Sequence, residues 1–237
     1  MFPEQCVVLV GGRGSRLGTL TDELPKPLMP VAGRPFLFHL LDRLAIYPFR
    51  EILLLAGYKG DRIAEACRGR TAGNARIEVL IEPRPLGTGG SLTAAETQLA
   101  EHFFLLNGDS LFEIDLDRLA APPFVQPSLS RLALRRVPET GRAGTVELSG
   151  ERIVAFHERG PGGAGLINGG VYLMTRRIVD RIDRLPCSLE RDIFPRLADE
   201  DRLEGMILDG YFIDIGIPAD LERARAELAP SGNRGRD

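Results

Sequence analysis

The chain is expected to fold as an α/β protein, a doubly wound and mostly parallel sheet with an added β-rich part toward the C-terminus. Three observations lead there. Short apolar runs alternate with segments of helical periodicity through the first half of the 237 residues. The first run passes directly into Gly11-Gly12-Arg13-Gly14, the way a buried parallel strand delivers its backbone to a phosphate. The second half replaces the alternation by successive strand-like segments and turns. A βαβ alternation implies right-handed crossovers, and ligands then gather at the carboxyl ends of the strands.

Taken in order, the apolar runs 7–10, 52–55, 77–81 and 103–106 read as buried strands. Between them, 36–44, 61–67 and 91–99 carry helical spacing. In the second half 131–137, 145–148, 153–157, 170–174, 203–208 and 211–213 read as strands, with Gly150 as a turn. The glycine-rich stretch 160–165 reads as a mobile loop. A helix over 218–228 begins with proline in its first turn. The tail 230–237 reads as disordered. No internal repeat or long linker appears, so 1–229 reads as one domain. Pro122, Pro123 and Pro127 mark a surface connection between residues 1–121 and 122–229.

Composition excludes several classes. The formal net charge is −3 with no basic block, which gives no nucleic-acid field. No apolar run approaches a membrane span, and the first residues lack the basic region of a signal peptide. Cys6, Cys67 and Cys187 have no C-x-x-C spacing, which suggests reduced thiols and a cytoplasmic protein. His39, His102 and His157 show no Ser/Asp partnering, and nothing suggests a covalent nucleophile.

Two common glycine signatures are absent. No Gly-Lys pair precedes Ser or Thr, which excludes a P-loop. In Gly12-Arg13-Gly14-Ser15-Arg16-Leu17 a leucine stands where a dinucleotide fingerprint needs its third glycine. What remains is a glycine turn followed by Arg16 and by Lys26 held between Pro25 and Pro27. The prolines fix φ on both sides of the lysine. A simple strand-to-helix turn explains the glycines alone; the two cations at this spacing favour a nucleotide.

Other residues carry two readings each. Asp109, in Asn107-Gly108-Asp109, is either a cation ligand at a strand end or a turn aspartate. Asp214 is one acid in an apolar strand, which requires pairing, hydrogen bonds or a metal, or else it caps the helix that follows. Leu86-Gly87-Thr88-Gly89-Gly90 is either a backbone surface for a flat base or a flexible loop before a helix. Glu190 is either a ligand for a hydroxyl or a first-turn helix acid.

Gly11 to Leu17 with Pro25-Lys26-Pro27-Leu28-Met29-Pro30-Val31, Leu86 to Gly90, Asn107 to Asp109, Ile167 to Tyr172 and Phe212 to Pro218 occur in the order seen in the sugar-1-phosphate nucleotidyltransferases. The chain resembles that family over nearly its whole length. Within it the likeness is greatest to short guanylyltransferases acting on a heptose 1-phosphate, through Gly165 to Tyr172 and Tyr211 to Asp220.

The resemblance implies a Rossmann-like fold whose halves bind mainly nucleotide (1–121) and mainly sugar (122–229). It implies that Arg16 and Lys26 are catalytic, and that Gly11, Gly12, Gly14 and Ser15 hold the triphosphate with Leu86, Gly87, Thr88 and Gly89 at the base. Asn107, Gly108, Glu158, Arg159, Asn168, Gly169 and Glu190 would meet the sugar phosphate, and Asp109 and Asp214 would hold Mg2+. Arg159 stands where the family has lysine, a planar fork for a point charge. The implied reaction joins a nucleoside triphosphate, GTP favoured, to a sugar 1-phosphate, heptose favoured, with release of pyrophosphate. Uridylyl, thymidylyl or cytidylyl transfer to another sugar 1-phosphate is the alternative, and a sugar-nucleotide-binding regulatory subunit the non-enzymatic one. No nucleic acid or membrane partner is implied. The oligomeric state stays open, a homodimer being one option.

Overall fold

The computed structural model describes residues 2–141, 144–157 and 162–228. Glu158, Arg159, the tail 230–237 and the first two positions of the 160–165 stretch lie outside the described residues.

β1 (Gln5–Leu9) leads to a 3-10 segment at Ser15–Thr21, a second at Lys26–Leu28, and a small ladder of β2 (Pro30–Val31) with β3 (Arg34–Pro35). Helix α1 (Phe36–Leu44) follows, then β4 (Glu51–Ala56), α2 (Gly60–Cys67), β5 (Thr71–Ala72), β6 (Ala75–Ile81), α3 (Gly87–Ala94) and β7 (His102–Asn107). β8 (Ser110–Phe112) and α4 (Leu116–Ala120) precede β9 (Ser130–Val137), β10 (Thr145–Ser149), β11 (Arg152–His157) and β12 (Gly165–Thr175). A wide turn at Leu189–Ile193 runs into α5 (Phe194–Asp199), followed by β13 (Leu203–Ile207), β14 (Phe212–Asp214) and α6 (Pro218–Glu227). Among the described residues no helix is long and apolar enough to cross a membrane.

Ten strands form one sheet in the order β10-β11-β13-β9-β12-β7-β1-β4-β6-β5. The block β7-β1-β4-β6 is parallel, as the alternation of runs and helices requires. The rest is mixed, which corrects the mostly parallel expectation. β12 runs antiparallel to both β7 and β9, and β10 antiparallel to both β11 and β12. The physical reason is the connections. Among the described residues between β9 and β12 there is no crossover helix to return a strand in parallel.

Successive residues of the central strands enter two cores, one on each face of the sheet. β1 sends Cys6 and Val8 into a core with Phe36, Leu40, Leu54 and Phe104. Its Val7 packs on the opposite face with Leu53, Leu105, Tyr172 and Phe194. Both faces are covered, so the strands read as continuous apolar runs. All three cysteines are buried free thiols.

One ion pair ties a surface connection to the sheet. Arg131 on β9 and Glu204 on β13 are paired at 2.6 Å with side chains 3% and 1% exposed. Arg131 also donates to the carbonyls of Leu119, Pro122 and Pro123, and Glu204 Oε1 accepts the Val125 amide. The proline-marked stretch is therefore anchored by its own backbone carbonyls. Replacing Arg131 by Met strands a buried carboxylate and these carbonyls. Arg131→Met is expected to cost about 3–5 kcal/mol of stability, measured by urea unfolding; a loss below about 1 kcal/mol would contradict the buried network.

Candidate active site

The loop after β1 sits where the first strand ends. Gly11 is required by close approach: a Cβ there would stand 2.9 Å from Gly57 N and 2.6 Å from Glu82 Oε1. Its carbonyl accepts the Tyr58 amide at 3.0 Å. Gly14 has φ +67°, and a Cβ there would stand 3.1 Å from Lys26 Cβ, so the loop lies over the lysine stem. Gly12, Ser15 and Arg16 are exposed, and nothing lies within 4 Å of a Cβ built on Gly12.

Lys26 is 5% exposed, a burial that demands partners. Its Nζ stands 2.5 Å from Asp109 Oδ2 and 3.7 Å from Asp214 Oδ1. Two local features bring the carboxylates together. Gly108 lets β7 end against β1: its amide donates to Leu9 O at 2.9 Å, and a Cβ would stand 2.6 Å from Val10 Cγ1. Beyond it, β8 pairs antiparallel with β14 in register Ser110 to Asp214, and the Ile215 amide donates to Asp109 O at 3.0 Å. A short ladder outside the main sheet thus places residues about a hundred positions apart side by side. Burial first, then the Asp109 charge, push the Asp214 carboxyl above the usual range; Lys26, the Gly216 amide and Arg16 oppose this.

The cluster suits a hard cation. Both carboxylates keep an open side, with side chains 40% and 42% exposed. Asp214 Oδ1 is a buried oxygen with no hydrogen-bond partner. Among the described residues no group of three or more His, Cys, Asp or Glu side chains could hold a metal. Two carboxylates with phosphate and water completing the shell is a magnesium arrangement.

The segment Leu86–Gly90 is not a loop. Residues 87–90 form the first turn of α3, a correction to the flexible-loop alternative. Its glycines answer to packing on another segment: a Cβ on Gly89 would stand 3.0 Å from Cys187 Sγ, and one on Gly90 2.8 Å from Leu185 Cδ2. Gly87 has φ +79° and faces the Cys187 carbonyl. The Gly89 and Gly90 amides donate to that carbonyl, and the Cys187 amide donates to Leu86 O at 2.8 Å. The open donors of a helix start are satisfied by chain from the other half.

Beneath that turn lies Glu82, which the sequence reading missed. It accepts the Leu86 amide at 2.9 Å and the Ser91 hydroxyl at 3.4 Å, and its carboxylate lies against Gly11 and Gly57. Burial raises its pKa above the usual carboxylate value. The signal was present: Glu82 follows the run 77–81 as directly as Asp109 follows its own strand.

On the other side, Asn107 ends β7 and Asn168 lies at an irregularity of β12. Asn168 Nδ2 donates to the Tyr172 hydroxyl at 2.8 Å, and Asn107 bonds the same hydroxyl. Tyr172 is fully buried, and burial, then the charges of Glu190 and, weakly, Asp109, hold its pKa well above the usual value. Gly169 is set by packing, since a Cβ would stand 2.5 Å from Phe112 Cδ1. Glu190 does stand in the first turn after Ser188, as does Asp192; Asp192 accepts the Ser188 amide at 2.8 Å while the Ser188 hydroxyl accepts the Arg191 amide. Glu190 instead takes hydroxyl hydrogen bonds from Thr88 at 2.8 Å and Ser188 at 3.1 Å.

Among the described residues, Lys26, Asp109 and Asp214 thus form one cluster, Gly11 lies against Glu82 under the Leu86 turn, and Thr88 meets Glu190. Three comparisons bear on what these residues do. Residues 5–231 match the family model described as "Nucleotidyl transferase". The D-glycero-alpha-D-manno-heptose 1-phosphate guanylyltransferase of Aneurinibacillus thermoaerophilus is 36% identical over 94% of this chain and 98% of its own length. The mannose-1-phosphate guanylyltransferase of Mycobacterium tuberculosis is 37% identical over 97% of this chain but only 68% of its own length. Among solved structures, HddC from Yersinia pseudotuberculosis complexed with GMP-PN superposes with a TM-score of 0.83 at 29% identity, covering 95% of this chain and 99% of that one. With a family model spanning nearly all of it, the chain belongs to the nucleotidyl transferase family.

Proposed function

We propose that the protein transfers GMP from GTP to D-glycero-α-D-manno-heptose 1-phosphate, releasing pyrophosphate and forming a nucleotide-activated heptose. The observation that carries the reaction class is Lys26 buried between Asp109 and Asp214 at the strand ends, beside an open glycine loop. The specificity reading is supported by the heptose relative matched over 98% of its length. It is supported also by Glu82: a carboxylate at the base subsite complements the N1–H and 2-amino donors of guanine, whereas uracil and thymine offer a single ring N–H.

In the proposed step an oxygen of the sugar phosphate forms a bond to the α-phosphorus. The bond from that phosphorus to the bridging oxygen breaks, and pyrophosphate leaves with the electron pair. The attacking oxygen is already anionic, so no general base is needed. Catalysis then rests on positioning two anions and neutralising their charge. Lys26 and Arg16 would compensate the triphosphate and the departing pyrophosphate. Magnesium bound by Asp109 and Asp214 would supply further charge neutralisation and a template for phosphate oxygens. Asn107, Asn168, Glu190, Glu158 and Arg159 would hold the sugar phosphate. Free thiols are what a reducing compartment such as the cytoplasm favours, and a nucleotide-activated heptose would serve as a donor for glycan synthesis.

Pyrophosphate release should be measured with four nucleoside triphosphates against heptose, mannose and glucose 1-phosphates. GTP with the heptose phosphate is expected to give the highest kcat/KM. A higher value with UTP or dTTP would overturn the guanylyl assignment and leave the reaction class standing. A second measurement addresses the carboxylates. Asp109→Asn and Asp214→Asn should each lower kcat by about 10²–10³. Together they should cost far less than the product of the two, because two ligands of one ion act as a unit. Multiplicative losses would mean that they serve separate ends.

A further inference from the structure

The two substrate subsites are physically joined at one side chain. Thr88, on the first turn of α3, donates its hydroxyl to Glu190 Oε2 at 2.8 Å. The same hydroxyl oxygen accepts the Leu189 amide at 2.8 Å. Ser188 also donates to Glu190 Oε2, so both hydroxyls fix the same oxygen and thereby the plane of the carboxylate. The backbone reinforces the junction: Gly89 and Gly90 amides reach Cys187 O, and the Cys187 amide reaches Leu86 O. Glu82, at the base subsite, holds the same helix turn through the Leu86 amide. A continuous set of hydrogen bonds therefore runs from Glu82 through the turn of α3 to Glu190, whose charge is felt at the Tyr172 hydroxyl that Asn168 and Asn107 share. A Cβ on Gly87 would stand 2.4 Å from the Cys187 carbonyl oxygen and one on Gly89 3.0 Å from Cys187 Sγ, so the turn and the segment that leads to Glu190 are in close contact.

We propose that Thr88 is a positioning residue that couples nucleotide binding to sugar-phosphate binding. The proposal rests on the reading of residues 86–90 as the base subsite and of Glu190 as a sugar ligand. A base seated against Glu82 and the turn fixes Thr88, and Thr88 fixes the Glu190 carboxylate in the orientation a sugar hydroxyl needs. The two substrates carry like charge and repel in a shared site, so favourable coupling has to be built into the protein. Coupling is reciprocal: a sugar phosphate held by Glu190 also steadies the turn for the base.

The test uses Thr88→Val, which keeps the shape and removes the hydroxyl, and Thr88→Ser, which restores it. In wild-type protein, heptose 1-phosphate titrated calorimetrically should bind more tightly in the presence of a non-hydrolysable GTP analogue than in its absence. In Thr88→Val that difference should vanish. The affinity for the sugar phosphate in the presence of the GTP analogue should fall about 10-fold or more, the size of one lost hydrogen bond to a charged group, and by reciprocity GTP should lose the same factor when the sugar phosphate is saturating. Thr88→Ser should return both toward wild type. A merely structural role would lower the melting temperature and leave the coupling in place. Coupling in Thr88→Val equal to wild type, or no coupling in the wild type, overturns the proposal. Absence of wild-type turnover with every nucleotide and sugar phosphate would instead remove the functional reading, and the proposal with it.

Discussion

The arrangement depends on one buried ammonium. Lys26 is almost wholly withdrawn from water, and only the two carboxylates at 2.5 and 3.7 Å make that burial tolerable. The dependence is mutual. Asp214 titrates upward from its burial and from Asp109, and Lys26 is the first charge that opposes this. Everything nearby serves the triad. Gly14 lets the loop close over the lysine stem, Gly108 lets β7 end against β1, and the β8–β14 ladder carries Asp214 to Asp109. A triphosphate brings anionic oxygens that compete with the carboxylates for Lys26, and a divalent cation would take over the carboxylates.

The second constraint is that the halves share one sheet. β12 from the later half pairs with β7 from the earlier half, and this pairing sets Asn168 beside Asn107 around the Tyr172 hydroxyl. On the other face of the site Cys187 docks against the first turn of α3. Two anionic substrates would thus meet across a boundary that is hydrogen-bonded on both sides. Such a boundary suits a reaction whose barrier is lowered by positioning rather than by proton transfer.

Much of this was legible in the sequence. The parallel block follows from apolar runs buried on both faces, and Lys26 stood out because prolines flank it. Asp109 and Asp214 stood out as acids at the ends of apolar strands, where burial must be compensated. What was not legible depended on distant chain. The antiparallel strands look like parallel ones in a run such as 170–174, because burial on both faces erases the alternation that would mark direction. The glycines of 86–90 suggested a surface for a base, yet their immediate reason is Cys187, about a hundred positions away. Glu82 closes the run 77–81, but what gives it a role, the Leu86 amide and the approach of Gly11 and Gly57, comes from the following turn and from other strands. Glu190 carries both features, a place in the first turn after Ser188 and a hydroxyl partner, Thr88, that lies about a hundred positions away and could not be read from the sequence.

The most direct test of the central claim is Mn2+ binding followed by electron paramagnetic resonance, without nucleotide, in wild-type protein and in Lys26→Met. If Lys26 neutralises the two carboxylates, its removal leaves two uncompensated anions side by side. Lys26→Met should then bind Mn2+ at least ~10-fold more tightly than wild type, since loss of one close unit charge changes the interaction by more than about 1.4 kcal/mol in a partly buried site. Adding Asp214→Asn should abolish that gain. Equal or weaker Mn2+ binding by Lys26→Met would contradict the account, because Asp109 and Asp214 would then not form the cation site that Lys26 occupies.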